Sequence, residues 1–528
     1  MARKKADPSS KSPSKSTSKS RQITTLKPRG TISDPTSGVA PDPGLVRPGT
    51  VQGTTQVDKV MRMLTDSKVA LFHSPEGKAY AALQVNGVLD THDLKSASFI
   101  AHMQHLYFES ERRPLPKNVL TEILEVLEGR ALYRGEPIPV FTRVGADLEG
   151  NLYLDLADPD RTIVQITPQG WEIANKPPVR FRRIPGELSL PRPVSGPIQP
   201  AIDAFRGLLN VGGDEDLADL VLAWVLGTFW PTGPYPILAV TGEPDSAKST
   251  TSHMLKSLID PASPAFKPVP KSDFDMALTA ERTWIFATDN VRVIPEWMAD
   301  SLCKVSTGAG GAARKHYSQQ DETLLTVMRP IILNGTYTAN LREDLLSRAL
   351  LLSLPPITSA AHMPLDEYWL TFRKAHPAIL GMLCTAVAAS LAGTKKPASL
   401  PRMADWAIRV SRAEEALEWP DGWFCVLLDR VKADKRVETR YENPLVDVLL
   451  NDAYFTNWKG TVSELGETIS KRAKPLFRRT NDHWLGNVTA LGLRLRGARE
   501  SLLEGGLRLE YCKKRGSRSL YLRPVHPN

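Results

Sequence analysis

Residues 236–259 read PILAVTGEPDSAKSTTSHMLKSLI. Ile237–Val240 is a short apolar run of the kind that forms a buried strand. Gly242, Glu243, Pro244, Asp245, Ser246, Ala247, Lys248, Ser249 and Thr250 follow as a loop that opens on glycine and closes on a Lys–Ser pair. The segment SHMLKSLI then continues with helical spacing. Strand, loop and helix in that order aim loop amides and a helix N-terminus at one point, which suits a phosphate. Lys248 is placed to reach the β- and γ-phosphates of ATP, and Ser249 to offer a hydroxyl to Mg2+. Ala247 stands where the GxxxxGK[ST] pattern has its second glycine. It is expected in right-handed helical space, where alanine fits.

Further apolar runs end in polar residues that complete such a site. RTWIFATDN (282–290) reads as a strand ending in Asp289 and Asn290. Asp289 is the expected magnesium residue beside Ser249. Asn290 sits where many ATPases carry a catalytic Glu, and an amide can orient water but cannot take its proton. RPIILNGT (329–336) ends in Asn334, whose amide can bond a γ-phosphate or the attacking water; Asn-Gly turn chemistry is the alternative. REDLLSRALLLSLPP (342–356) gives a short helix carrying Arg348 and then a strand. Arg348 is a candidate finger toward a neighbouring subunit's triphosphate, with an ion pair to Asp344 as the alternative and Arg342 and Arg329 as weaker candidates.

The order 248, 289, 334, 348 resembles the superfamily 3 helicases of the AAA+ class, especially the primase–helicases of phages, plasmids and poxviruses. The stretch STGAGGAARKHYSQQDETLLTVMRPIILNG (306–335) resembles their channel hairpin. That resemblance implies that Arg314, Lys315 and His316 meet DNA phosphates, with Tyr317 supporting or stacking; an ordinary solvated hairpin is the alternative. WPTGPYP (230–236), LPRMADWA (400–407), GNLYLDLADPD (150–160) and RFRRIPGELSLPRP (180–193) resemble segments of ATP-binding proteins from actinobacterial phages and integrated elements. The fold implied is α/β: an AAA+-like P-loop ATPase with an N-terminal α+β domain and a C-terminal winged-helix domain. The function implied is an ATP-dependent DNA helicase or translocase that works as a hexameric ring beside a primase or polymerase.

Charge and composition divide the 528 residues. Ten Lys and Arg against three Asp in residues 1–56 give +7, and fifteen against six acids in 456–528 give +9. With a total of +9, the stretch between is left at −7. Basic ends around an acidic middle suit a polyanion-handling engine. Residues 1–56 lack the apolar content for a core and are expected to form a disordered tail. A small α+β domain is expected over 57–176, a proline-rich linker over 177–200 and the ATPase over 201–360. A helical extension over 361–440 and a winged-helix domain over 441–528 follow. In the last, Thr461 and Glu464 form a capping box, and Trp484, Val488, Leu491 and Leu495 share one helical stripe. Arg494, Arg496 and Arg499 on the helix and Lys513, Lys514, Arg515 and Arg518 on the wing are the candidate duplex-DNA contacts; docking to a protein is the alternative.

Cys303, Cys384, Cys425 and Cys512 are too dispersed for a disulfide framework or zinc site. With no apolar run read as long enough to cross a bilayer and no signal sequence, a bacterial cytoplasmic location without membrane partners is expected. Asp155 and Asp158 are a weak candidate pair for a primase centre. Two other functional classes stay open: a DNA-binding nucleotide switch that loads or regulates replication proteins without unwinding, and a nucleic-acid-sensing defence ATPase.

Overall fold

The computed structural model describes residues 55–525, apart from 86–87, 175–176, 309–310, 315–321, 326, 337–341, 359–361, 432–443, 473–487 and 515–516. The expected disordered tail therefore lies almost wholly outside the described residues.

The described chain opens on helix α1 (Gln56–Asp66), started by a capping box in which Thr55 and Asp58 exchange side-chain and backbone bonds. Strands β1 (Ala70–His73), β2 (Ala79–Val85) and β3 (Val88–Asp93) form an antiparallel meander. Helices α2 (Ala97–Glu111) and α3 (Lys117–Arg134) close a core of Val60, Leu64, Leu83, Phe99, Met103 and Ile123 against it.

Next come β4 (Val140–Phe141), β5 (Val144–Ala146), β6 (Leu152–Asp155), β7 (Ile163–Thr167) and β8 (Gly170–Ala174). The last four make one antiparallel sheet, and β9 (Arg180–Phe181) pairs with β4. Here the packing crosses the expected boundaries at 176 and 200. Val144, Leu152, Leu154, Val164 and Ile166 belong to the same hydrophobic cluster as Leu190 of the expected linker and the helices beyond it. Trp171 Nε1 donates to Thr385 Oγ1 at 3.1 Å, and Val194 N to the Pro377 carbonyl at 2.9 Å. Apolar strand faces cannot stay in water, so they close onto the nearest large apolar surface, which lies some two hundred residues downstream.

Helices α4 (Ile198–Gly207) and α5 (Glu215–Gly227) lead into the central sheet. Asp214 caps α5 by accepting from Leu217 N at 2.9 Å, with Glu215 and Asp216 complementing the helix dipole in its first turn. The core continues through β10 (Ile237–Gly242), α6 (Lys248–Ile259), α7 (Asp273–Glu281), β11 (Phe286–Val291) and α8 (Glu296–Thr307). A two-stranded ribbon of β12 (Gly311–Arg314) and β13 (Glu322–Leu325) precedes β14 (Ile331–Gly335), α9 (Glu343–Leu346) and β15 (Ala349–Leu354).

The four central strands run parallel in the order β11-β14-β10-β15. Side chains alternate across the sheet. Leu238, Val240, Ala287, Ile332 and Leu350 enter the main cluster, while Ile237, Ala239, Phe286, Ile331 and Leu333 pack into a second cluster with α7 and α8 residues. Both faces are covered, which is why these strands are apolar without alternation in sequence.

Helix α10 (Leu365–Ala392) corrects one expectation: by length and apolar composition it could cross a membrane. It is, however, the core helix of this fold, with Phe372, Ile379, Leu380, Leu383 and Val387 buried against α4 and the sheets. Helix α11 (Ala404–Ser411) joins the same cluster through Trp406, so the expected helical extension has no core of its own.

The final unit has a separate core. It runs α12 (Pro444–Asn451), β16 (Lys459–Gly460), α13 (Val462–Arg472), α14 (Val488–Gly497), α15 (Arg499–Glu504), β17 (Leu507–Lys514) and β18 (Ser517–Pro524). The capping box is present: Thr461 N donates to Glu464 Oε2 at 2.7 Å and Glu464 N to Thr461 Oγ1 at 3.2 Å. Leu491 and Leu495 are buried among Leu465, Ile469, Leu509 and Leu522. Val488, placed on the same stripe from the sequence, is instead 50% exposed. It is the first residue of α14, before the helix reaches its packing partners. Trp484 lies outside the described residues.

His376 of α10 is buried, with its ring Nε2 3.0 Å from the Leu258 carbonyl, and burial pushes its pKa down to about 4. An unfolded histidine titrates near ~6.5. Between those values the unfolded chain binds a proton that the native chain does not, so stability falls as pH drops. Chemical denaturation at pH 7 and pH 4.5 should show His376→Gln losing less stability than the parent by about 2–3 kcal/mol. Identical losses would assign the acid sensitivity to other groups.

Candidate functional site

The parallel register gathers three polar side chains at the carboxyl edge of the sheet, where open α/β sheets bind ligands. Val240 pairs with Asn334 across β10 and β14, and Thr288 with Leu333 across β11 and β14. The β11 ladder is irregular between Thr288 and Val291, which turns Asp289 and Asn290 out of the pairing. Ser249 Oγ then donates to Asp289 Oδ1 at 3.0 Å, and Asn334 Nδ2 lies 3.1 Å from Ser249 Oγ and also donates to Asp289 Oδ1. Asn334 is 1% exposed, Asp289 half-buried and Ser249 open to solvent.

Between β10 and α6 the backbone makes a tight loop. Gly242 has φ 145°, and a Cβ there would stand 2.4 Å from the Leu354 carbonyl and 2.8 Å from Ser246 Oγ, so only glycine fits. Lys248 folds its ammonium back onto the Glu243 carbonyl and to 3.2 Å from Ser246 Oγ. The first turn of α6 contains no acid of its own, and among the described residues the one carboxylate bonded to it is Asp289, through Ser249. These features fit a polyphosphate: a close backbone loop, a helix N-terminus and a lysine held only by loop oxygens. A hydroxyl and a carboxylate at 3.0 Å also fit Mg2+, which takes one or two protein oxygens and completes its shell with phosphate and water. Among the described residues no group of three or more His, Cys, Asp or Glu could hold a metal, as an all-protein cage would need.

The sequence reading of Ala247 is overturned. Its φ and ψ are 59° and 27°, in left-handed space, and it serves as the N-cap of α6. A β-carbon there costs about 1–2 kcal/mol, so the second glycine of the pattern is missing at a position that favours one. Asp245 is also left-handed, at φ 60°. Asn290 is exposed with φ 56°, and its side chain joins no bond within the Ser249–Asp289–Asn334 group.

Arg348 lies at the other edge of the sheet. Its carbonyl accepts from Ile237 N at 2.9 Å, at the start of β10, whereas Gly242 at the end of β10 pairs with Leu354. Six strand residues separate the two edges, roughly 17–20 Å at the usual rise, so Arg348 cannot touch its own protomer's loop. It does not pair with the Asp344 carboxylate either. Its Nη1 donates to the Asp344 carbonyl at 2.7 Å, and Asp344 Oδ1 meets Arg342 at 3.3 Å. Arg329 is removed as a finger candidate, because this half-buried residue donates through Nε to the Ala280 and Thr283 carbonyls, with its guanidinium over Trp284.

Arg314 ends β12 and pairs with Glu322 in backbone register; Lys315, His316 and Tyr317 lie outside the described residues. Arg494, Arg496 and Arg499 are exposed. Lys513 pairs in register with Arg518, and Lys514 with Ser517, near the tip of the β17–β18 hairpin, and Arg515 lies outside the described residues. Tyr511 of β17 is close enough to Arg496 and Arg499 to feel both charges. Asp155 is 1% exposed and binds Arg161 at 2.9 Å, while Asp158 accepts from Thr162 N at 2.7 Å in a turn. Asp155 is thus engaged by an arginine and Asp158 by turn chemistry.

One contact has no signal in the sequence. Asn210, in the connection between α4 and α5, donates through Nδ2 to the Ser246 carbonyl at 3.2 Å and the Pro355 carbonyl at 2.7 Å. No motif marks it, because its role depends on a strand 145 residues away. For the loop as a whole, Gly242→Ala should destabilise the protein by about 2–3 kcal/mol through contact and backbone strain together. Thermal denaturation checks this, and an unchanged midpoint would mean that the loop is free to move away from β15.

Residues 202–419 match the family model described as the actinomycete integrative conjugative element replication protein. The central part of the chain is thus similar to a replication protein of such elements. No curated protein matches the chain. Among solved structures, the A form apo NrS-1 C terminal region matches with a TM-score of 0.38 and 11% identity, over 90% of this chain and 100% of that one. A JCV helicase structure with a bound acetamide compound matches with a TM-score of 0.25 and 14% identity, over 44% of this chain and 63% of that one.

Proposed function

We propose that the chain is the ATP-driven motor of a mobile-element DNA replication system, a helicase or translocase built on an AAA+-like P-loop domain. The observation that carries this is the meeting of Ser249, Asp289 and Asn334 beside a glycine-opened loop and Lys248. In this reading Lys248 and the loop amides hold the β- and γ-phosphates. Ser249 and Asp289 would hold the magnesium ion. Asn334 orients the attacking water or the γ-phosphate. Bound magnesium supplies charge neutralisation on the phosphates.

Arg348, at the far edge of the sheet, acts on the triphosphate of a neighbouring protomer, so ATP sits at subunit interfaces of a ring. A hexamer is the expected form. Arg314 of the β12–β13 ribbon, with Lys315, His316 and Tyr317, contacts single-stranded DNA. The last unit, with its helices and basic hairpin, works as a winged helix on duplex DNA through Arg494, Arg496, Arg499, Lys513, Lys514, Arg515 and Arg518. A primase or polymerase is the expected partner. Similarity over residues 202–419 to a replication protein supports the setting.

A second reading has its own observation. Asn290 is exposed, left-handed and unable to accept a proton, which favours a DNA-binding nucleotide switch with slow turnover. ATPase assays with and without single-stranded DNA separate the two. The motor reading expects DNA-stimulated turnover that Lys248→Ala lowers by about a hundredfold or more. Nucleotide binding with negligible turnover under both conditions would favour the switch, and no nucleotide binding at all would defeat both.

A further inference from the structure

We infer that Asn210 is a positioning residue of the phosphate loop. Its amide, acting through the Ser246 carbonyl, holds Ala247 in the left-handed conformation that a glycine would otherwise adopt unaided. The inference rests on the nucleotide-site reading above and deepens it.

An amide nitrogen carries two N–H groups, and Asn210 has one carbonyl for each: Ser246 in the loop and Pro355 just after β15. The carboxyl end of β15 is the surface against which Gly242 is pressed, through the Leu354 carbonyl. Asn210 therefore staples the loop to the strand that shapes it. A second staple lies alongside, where Ile357 N donates to the Asp245 carbonyl at 3.0 Å. The two non-glycine left-handed residues of the loop, Asp245 and Ala247, thus each have an adjoining carbonyl held from outside the loop.

Peptide planarity gives this arrangement a consequence. In a trans peptide the C=O and the N–H point in opposite directions. Fixing the Ser246 carbonyl toward Asn210 turns the Ala247 N–H away from it, and the orientation of that peptide plane sets φ of Ala247. Without the staple, alanine would relax toward right-handed space and carry the amide with it. Lys248 is the next residue, so the same rotation would re-aim the lysine.

A double-mutant cycle of Asn210→Ala and Ala247→Gly tests the coupling. Two readouts apply: amide hydrogen exchange of residues 243–250 in the nucleotide-free protein, and MgATP affinity. Asn210→Ala alone should speed exchange of the loop amides and weaken MgATP each by about tenfold. In the Ala247→Gly background, where left-handed backbone is unstrained, the same substitution should cost only about twofold. An equal loss in both backgrounds would overturn the proposal, since Asn210 would then only brace β15 through Pro355. Unchanged loop exchange in Asn210→Ala would overturn it too. If the parent protein binds no MgATP, the nucleotide reading fails by itself, and the exchange readout still decides the role of Asn210.

Discussion

The molecule depends on a hydrogen-bonded meeting of Ser249, Asp289 and Asn334 at one edge of a four-stranded parallel sheet. They come from three separate stretches of chain and share a site because parallel pairing puts the ends of β10, β11 and β14 side by side. A slip of one residue in either pairing would send Asn334 or Asp289 into the wrong face of the sheet. The apolar side chains that alternate into the two clusters fix that register.

The same packing fixes the helix that carries Ser249. At its far end Lys256 is 1% exposed and binds Asp260, the Ile285 carbonyl and Thr283. Asp260 in turn accepts from the Trp284 and Ile285 amides at 3.1 and 2.9 Å. This buried pair ties the end of α6 to the segment that enters β11, so Ser249 and Asp289 sit on elements bonded to each other at the opposite end. Arg143, fully buried, extends the tie to the β5–β8 sheet, with its Nε 3.6 Å from Asp260 Oδ1 and its Nη1 donating to the Asp155 carbonyl of β6. Removing one member of such a buried charged set costs about 3–5 kcal/mol, which makes the site's frame stiff.

Much of this was legible in sequence. Strands buried on both faces are unbroken apolar runs, and Ile237–Val240, Trp284–Thr288 and Ile331–Leu333 announce themselves that way. The polar residues at their ends stand out against that background. Features set by distant chain were not legible. The left-handed turn at Ala247 is imposed by a loop wedged against β15 and stapled by Asn210, and no local preference of alanine signals it. Packing across the expected boundaries at 176 and 200 was hidden for the same reason: apolar faces of β5–β8 found their partner in α10, far along the chain. Helix α10 escaped notice as a long apolar helix because Arg373, Lys374 and Pro377 interrupt its sequence while its buried face stays continuous.

A structure of the protein with Mg2+ and a non-hydrolysable ATP analogue tests the central claim most directly. The metal should lie about 2.0–2.1 Å from Ser249 Oγ, with Asp289 behind it and Lys248 moved from the Glu243 carbonyl onto phosphate oxygens. Nucleotide bound elsewhere, with Lys248 still folded on its own loop and Ser249 still bonded to Asp289, would contradict the account.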